Sequence, residues 1–88
     1  MKKVRVWNPS EAEISEAKKW PVWSKEESTF EWYYDEDEQF YVIEGDVEVV
    51  LEDKSKVRFG SGDMVKFLAG TKCTWHVKRQ IIKHYKMG

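Results

Sequence analysis

The 88-residue chain is too short for two hydrophobic cores, since neither half could enclose one without disulfides or a metal. Hydrophobic residues at 41% and charged residues at 35% speak for a soluble globular protein and against a disordered or membrane-embedded one. A formal net charge of −1 conceals an asymmetry, because residues 1–53 carry 6 Lys+Arg against 15 Asp+Glu and residues 54–88 carry 9 against 1.

In chain order, Val4 and Val6 alternate with Lys3 and Arg5, which predicts a short strand ending at Trp7, stopped by Asn8-Pro9. Ser10 with Glu13 three residues on forms an S-x-x-E capping box, and acids at 11, 13 and 16 precede Lys18-Lys19, which predicts a helix over 10–19 ended by Pro21. Ile14, Ala17 and Trp20 are its inward candidates, so the helix is expected to lie on the outside of the fold. β-Branched and aromatic runs then predict strands at 28–34, 39–44, 47–52, 56–59, 64–68, 72–77 and 80–85. Turns are expected at Asp35-Glu36-Asp37, Gly45-Asp46, Asp53-Lys54-Ser55, Gly60-Ser61-Gly62-Asp63 and Ala69-Gly70. Seven or eight short strands and one peripheral helix predict an all-β antiparallel sandwich or barrel.

The oppositely charged halves are expected to interleave and pair across strands. Dispersed lysines and a pI near 6.1 argue against nucleic acid as a partner. The longest uncharged apolar-rich run, Gln39–Ile43, is far below the roughly 20 residues of a membrane-spanning helix, so no membrane association is expected. Met1-Lys2-Lys3 is followed by alternating Val and charge and not by an apolar leader, and the single Cys excludes an internal disulfide framework and fits a reducing compartment. A cytoplasmic protein is expected, and its Lys/Glu-rich surface leans toward a heat-tolerant source.

Two segments carry a resemblance. Glu38-x-x-Tyr41-Val42-Ile43-Glu44-Gly45-x-Val47-x-Val49 and Gly62-Asp63-x-Val65-x-Phe67-x-x-Gly70 resemble the two cupin motifs, G-x5-H-x-H-x3,4-E-x6-G and G-x5-P-x-G-x2-H-x3-N. Phe30-x-Trp32-x-Tyr34-Asp35, Gly70-x-x-Cys73-x-Trp75 and Lys83-His84-Tyr85 are similar to small single-domain cupins grouped with the ureidoglycine aminohydrolase cupin domain. The resemblance implies one jelly-roll cupin domain over 1–88, with residues 1–27 packed on a barrel formed by 28–88, functioning as monomer or homodimer on a small-molecule ligand at its mouth.

Cupins hold a divalent metal with two His and a Glu from the first motif and a His from the second. The corresponding positions here are Trp32 and Tyr34, or Glu31 and Tyr33 in the alternative spacing, then Glu38, then Cys73. One carboxylate and one thiol make a poor first shell for a divalent metal, so no metal or other cofactor is expected. The resemblance implies instead that Trp32, Tyr34 and Trp75 wall an organic-ligand pocket, although strand alternation alone is equally met by core packing. Glu38 closes an acidic run that reads as a solvated loop, yet at the carboxylate position it points inward, where Lys, Arg or a hydroxyl would have to stabilise the anion. It is the first candidate for general acid or base.

Cys73 is a candidate nucleophile beside its plainer reading as a small buried hydrophobe. His84 shares a strand face with Ile82, opposite Lys83 and Tyr85, and either face fits the interior; it is a candidate substrate contact. Cys73, His84 and Glu38 together would form a nucleophile, base and orienter set. The function expected is a small metabolic enzyme acting on a polar metabolite, with amide or ureido hydrolysis implied by the resemblance, or else a non-catalytic binding module of the same fold.

Overall fold

The computed structural model describes residues 3–88; Met1 and Lys2, which open the expected first segment, lie outside the described residues. Strand β1 (Val4–Trp7) leads to helix α1 (Glu11–Ala17), and β2 (Val22–Lys25), β3 (Ser28–Tyr33), β4 (Glu38–Leu51), β5 (Lys56–Gly60), β6 (Met64–Phe67) and β7 (Lys72–Met87) follow. The capping box forms as the sequence predicts: Ser10 Oγ accepts from Glu13 N (3.2 Å) and Glu13 Oε1 accepts from Ser10 N (2.9 Å). The helix is shorter than expected, and of its inward candidates Ala17 is the fully buried one. Among the described residues no helix is long and apolar enough to cross a membrane.

Among the described residues all strand pairings are antiparallel, within one seven-stranded sheet. Its spine is the long β4–β7 ladder, running from Glu38 with Met87 to Leu51 with Cys73. One end of this ladder carries β6 on β4, β1 beyond it, and β2 on β7; the other end carries β5 on β4 and β3 on β7. The two ends face one another across a shared core. Phe40 and Phe67 from the first end lie 5.9 and 6.2 Å from Trp75 of the second, and Phe40 is 5.4 Å from Phe59.

One expected turn and one expected strand break are neither. Gly45-Asp46 lies inside β4, where the register against β7 shifts between Val42 and Val47. This irregularity moves the buried positions of β4 from even residues (Glu38, Phe40, Val42) to odd ones (Val47, Val49), as an inserted residue must in a period-two element. Gly45 has φ +133°, and a Cβ there would stand 2.9 Å from Ile81 Cα, so a side chain is excluded on two counts. The exposed Lys78-Arg79-Gln80 stretch likewise continues β7 without a break.

The acidic and basic parts of the chain interleave as expected. β4 is flanked by β5, β6 and β7, all from the basic part, and Arg58 reaches Asp46 with both Nε (2.9 Å) and Nη2 (2.7 Å).

Candidate functional site

At the β2–β3 side of the spine a cavity of about 220 Å³ opens between the two halves of the sheet. Its walls are Trp23 from β2, Phe30 and Trp32 from β3, Tyr34 just beyond it, and Trp75, Tyr85 and Met87 from β7; Glu38 and Lys83 supply the only charges among these lining residues. Antiparallel pairing explains the aromatic wall. Phe30 is the register partner of Trp75, and their rings stack at 5.7 Å, while Trp23 meets Trp75 edge-on at 6.3 Å. Such contacts add to the burial of each ring.

Tyr34 is held from both sides of its backbone, its N–H donating to Thr71 O (2.9 Å) and its carbonyl accepting from Gly70 N (2.6 Å). Its ring stacks on Phe67 at 4.5 Å. Burial pushes the Tyr34 hydroxyl well above its ordinary range, and the neighbouring Glu38 carboxylate pushes the same way, so the phenol stays protonated. Trp32 is 51% exposed and stands at the rim, edge-on to Tyr34 at 6.4 Å.

The acidic run divides at its end. Asp37 Oδ1 accepts from Ala69 N (2.8 Å) in the surface turn, whereas Glu38, the first residue of β4, turns inward and is 6% exposed. Its partner is Lys83, 5% exposed, whose Nζ donates to Glu38 Oε2 at 2.6 Å. The ammonium also lies 3.9 Å from the Phe40 ring centroid, 4.8 Å from Trp23 and 5.1 Å from Trp75, so aromatic faces replace much of its hydration. Burial lowers the Lys83 pKa from the usual lysine value, and the Glu38 charge and hydrogen bond work against that. An ammonium has three hydrogens to donate, and among the described residues Glu38 is its one hydrogen-bond acceptor. Trp75 Nε1 is a second buried donor that meets no acceptor in hydrogen-bond geometry among the described residues, although Tyr34 and Cys73 lie near enough for it to act on both.

Sequence reasoning left Lys83 unassigned, and a signal for it existed. Buried residues on β7 keep odd parity from Cys73, Trp75 and Val77 through the exposed 78–80 stretch to Ile81 and Lys83, so treating this segment as one strand points Lys83 inward.

Of the expected site residues, Glu38, Trp32, Tyr34 and Trp75 line the cavity, and Cys73 and His84 do not. Cys73 and His84 differ in parity on the same strand, so the nucleophile, base and orienter set is not assembled. His84 lies on the face opposite Lys83, its Nδ1 2.9 Å from Trp20 O. Cys73 is packed in the core with Sγ 3.7 Å from Trp32 O, and burial pushes its thiol up to about 11. A nucleophile needs the opposite shift, so the expected catalytic role for Cys73 is corrected to that of a small core residue.

The metal that the two cupin motifs would imply does not fit this residue set. Trp32, Tyr34 and Cys73 stand at the matching positions, and Glu38 is already paired with an internal ammonium that would repel a cation. Among the described residues no group of three or more His, Cys, Asp or Glu side chains is gathered closely enough to hold an ion. A larger groove of about 800 Å³ near β1 and β5 is bordered by Lys56, Arg58, Lys72, Glu52 and Asp53, and its charged borders include neither member of the buried pair.

Comparison with known proteins agrees with the topology. The EutQ-like cupin domain model matches residues 12–85. The chain is similar to a DUF861 family protein from Thermotoga maritima, with 41% identity, a TM-score of 0.93 and coverage of 97% of this chain and 99% of that one. It is also similar to the Clostridium difficile EutQ protein, at 27% identity and a TM-score of 0.68, over 75% of this chain and 52% of that one. A putative ethanolamine utilization protein Q from Salmonella typhimurium, at 20% identity and a TM-score of 0.67 over 75% and 53% of the two chains, shares the fold. This chain thus spans about half the length of either EutQ protein. No curated protein matches.

Proposed function

The chain belongs to the EutQ-like cupin domain family, and from that premise we propose that it is a metal-independent cupin whose cavity binds a small neutral carbonyl compound. We read the sheet as the jelly roll of that family, folded at the β4 bulges, with the pocket at its open mouth. The observation that carries the reading is the buried Lys83 ammonium, which among the described residues has Glu38 as its one hydrogen-bond acceptor. Buried ammonium hydrogens left without acceptors are costly. A ligand oxygen that accepts from Lys83 would satisfy one.

The charge count selects among ligands. Glu38 and Lys83 neutralise each other, so a carboxylate would bring an uncompensated negative charge beside Glu38, whereas an amide, ureido, aldehyde or ketone oxygen would not. The aromatic walls suit a flat, largely apolar body. An engineered apolar cavity of about 150 Å³ accommodates benzene, so about 220 Å³ suits a ligand only slightly larger. Glu38, in contact with the donor that holds the carbonyl, is the group available as general acid or base. Amide or ureido substrates, implied by the resemblance to ureidoglycine aminohydrolase cupins, fall within this class.

A thermal-shift titration with benzamide and benzoate tests the reading. Benzamide is expected to raise the melting temperature in a concentration-dependent way, benzoate to do so weakly, and Trp32→Ala to abolish the benzamide effect. Equal stabilisation by both ligands, or an effect untouched in Trp32→Ala, would overturn it.

A further inference from the structure

We propose that Lys83 is an amine nucleophile that captures an aldehyde or ketone in the aromatic cavity as an imine, with Glu38 carrying the protons. The inference rests on the carbonyl-binding reading above and narrows its ligand class. Three observations converge on it. Lys83 is a buried lysine lining a cavity. Its Nζ has a carboxylate at 2.6 Å, and its surroundings are otherwise aromatic rings, with Phe40, Trp23 and Trp75 nearest. A desolvated lysine in an apolar pocket is the recurring arrangement for Schiff-base formation, because burial disfavours the ammonium, and here the carboxylate that takes its proton stands beside it.

The chemistry closes on these two residues. Glu38 Oε2 takes one proton from the Lys83 ammonium, and the freed lone pair forms the C–N bond while the carbonyl π pair moves to oxygen. That oxygen takes a proton released from nitrogen, giving a neutral carbinolamine. Glu38 returns its proton to the hydroxyl, the C–O bond breaks, and water leaves. The product is a protonated imine whose positive charge sits beside the Glu38 carboxylate, so one ion pair is exchanged for another. No oxidant, reductant or cofactor enters, and the reverse sequence releases the carbonyl compound by hydrolysis.

An ion pair kept only for stability would leave a different record. Apolar replacements of similar volume commonly stabilise a fold as well as a buried pair does, and a lysine here costs the desolvation of an ammonium. Pairing with a carboxylate that can accept and return a proton gives that lysine a use.

The test is reductive trapping of the intact protein with benzaldehyde and cyanoborohydride at neutral pH, read by peptide mass mapping. The expected result is one benzyl group per chain, at Lys83, forming about tenfold or more faster than labels on exposed lysines and suppressed by benzamide. Glu38→Gln retains Lys83 and should slow its labelling while leaving surface labelling unchanged. Circular dichroism of the variant separates that loss from unfolding. Labelling of Lys83 no faster than of surface lysines would overturn the imine proposal. If benzamide still raises the melting temperature in that case, the carbonyl-binding reading survives alone, and if it does not, both fall.

Discussion

Lys83 pairs in register with Val42, yet its side chain does not stop there. It passes over the Phe40 ring, with Nζ 3.9 Å from the centroid, and ends on Glu38 at 2.6 Å, so three successive inward positions of β4 form its track. The pair therefore couples the start of β4 to the end half of β7 beneath an aromatic cover.

Breaking this pair from either side should be costly. Lys83→Met leaves a buried carboxylate and Glu38→Leu a buried ammonium, and each is expected to lower stability by about 3–5 kcal/mol. The double variant should recover most of that loss, measured by urea unfolding at neutral pH. Losses that simply add would show that the two groups are not coupled.

Two of the three indoles that line the cavity, Trp75 and Trp32, should part company on truncation. Trp75 is a core residue and Trp32 is half exposed. Trp75→Ala is expected to cost about 3–5 kcal/mol, and Trp32→Ala well below that range while losing benzamide binding. Comparable losses in chemical denaturation would place Trp32 in the core.

Gly45 tests the bulge. An alanine there must hold a φ near +133° and meet Ile81 Cα at 2.9 Å and Gln80 O at 3.0 Å. Backbone strain of about 1–3 kcal/mol adds to that clash, so Gly45→Ala should unfold at markedly lower urea. A midpoint within experimental error of wild type would mean that the bulge relaxes freely.

Cys73 should be nearly inert in the folded protein. With its thiol raised from an ordinary 9.0 to about 11, its thiolate population falls roughly a hundredfold, and packing slows access further. Reaction with a chromogenic disulfide reagent at pH 8 should be slow until denaturant is added. The sign of the linked stability follows: the folded state holds this proton more tightly, so between pH 9 and about 11 the contribution of Cys73 falls as pH rises. Wild type compared with Cys73→Ala across that window isolates it, and a flat difference would contradict the shift.

Added Mn²⁺, Ni²⁺ or Zn²⁺ should leave the melting temperature unchanged, because Glu38 already faces an ammonium. A saturable rise that disappears in Glu38→Gln would argue for a metal site after all.

Much of the fold was legible from local chemistry. The Val4–Trp7 alternation, the Ser10–Glu13 capping box and the aromatic strand expected over 28–34, which ends one residue sooner at Tyr33, each carry their own signal. The long strands were read as pairs of short ones because Gly45-Asp46 looks like a turn and the charged Lys78-Arg79 pair interrupts the apolar run, and only the partner strand decides between a break and a continuous or bulged strand. The inward setting of Glu38 was reachable through the family motif. Lys83 was not assigned, because a lysine in a strand is ordinarily a surface residue, and its face depends on a parity that the supposed break at 78–79 interrupts.

The β4–β7 ladder also bears on the order in which the molecule assembles. Its residues are nearest in sequence at Leu51 with Cys73 and farthest at Glu38 with Met87. Closing the shorter loop first costs less chain entropy, so the ladder zips from the Leu51 end toward the Glu38 end. The Glu38–Lys83 ion pair stands at the far end, the last part of the spine to close and the first to open, and amide hydrogens near Glu38 and Lys83 should exchange sooner than those near Val49 and Trp75.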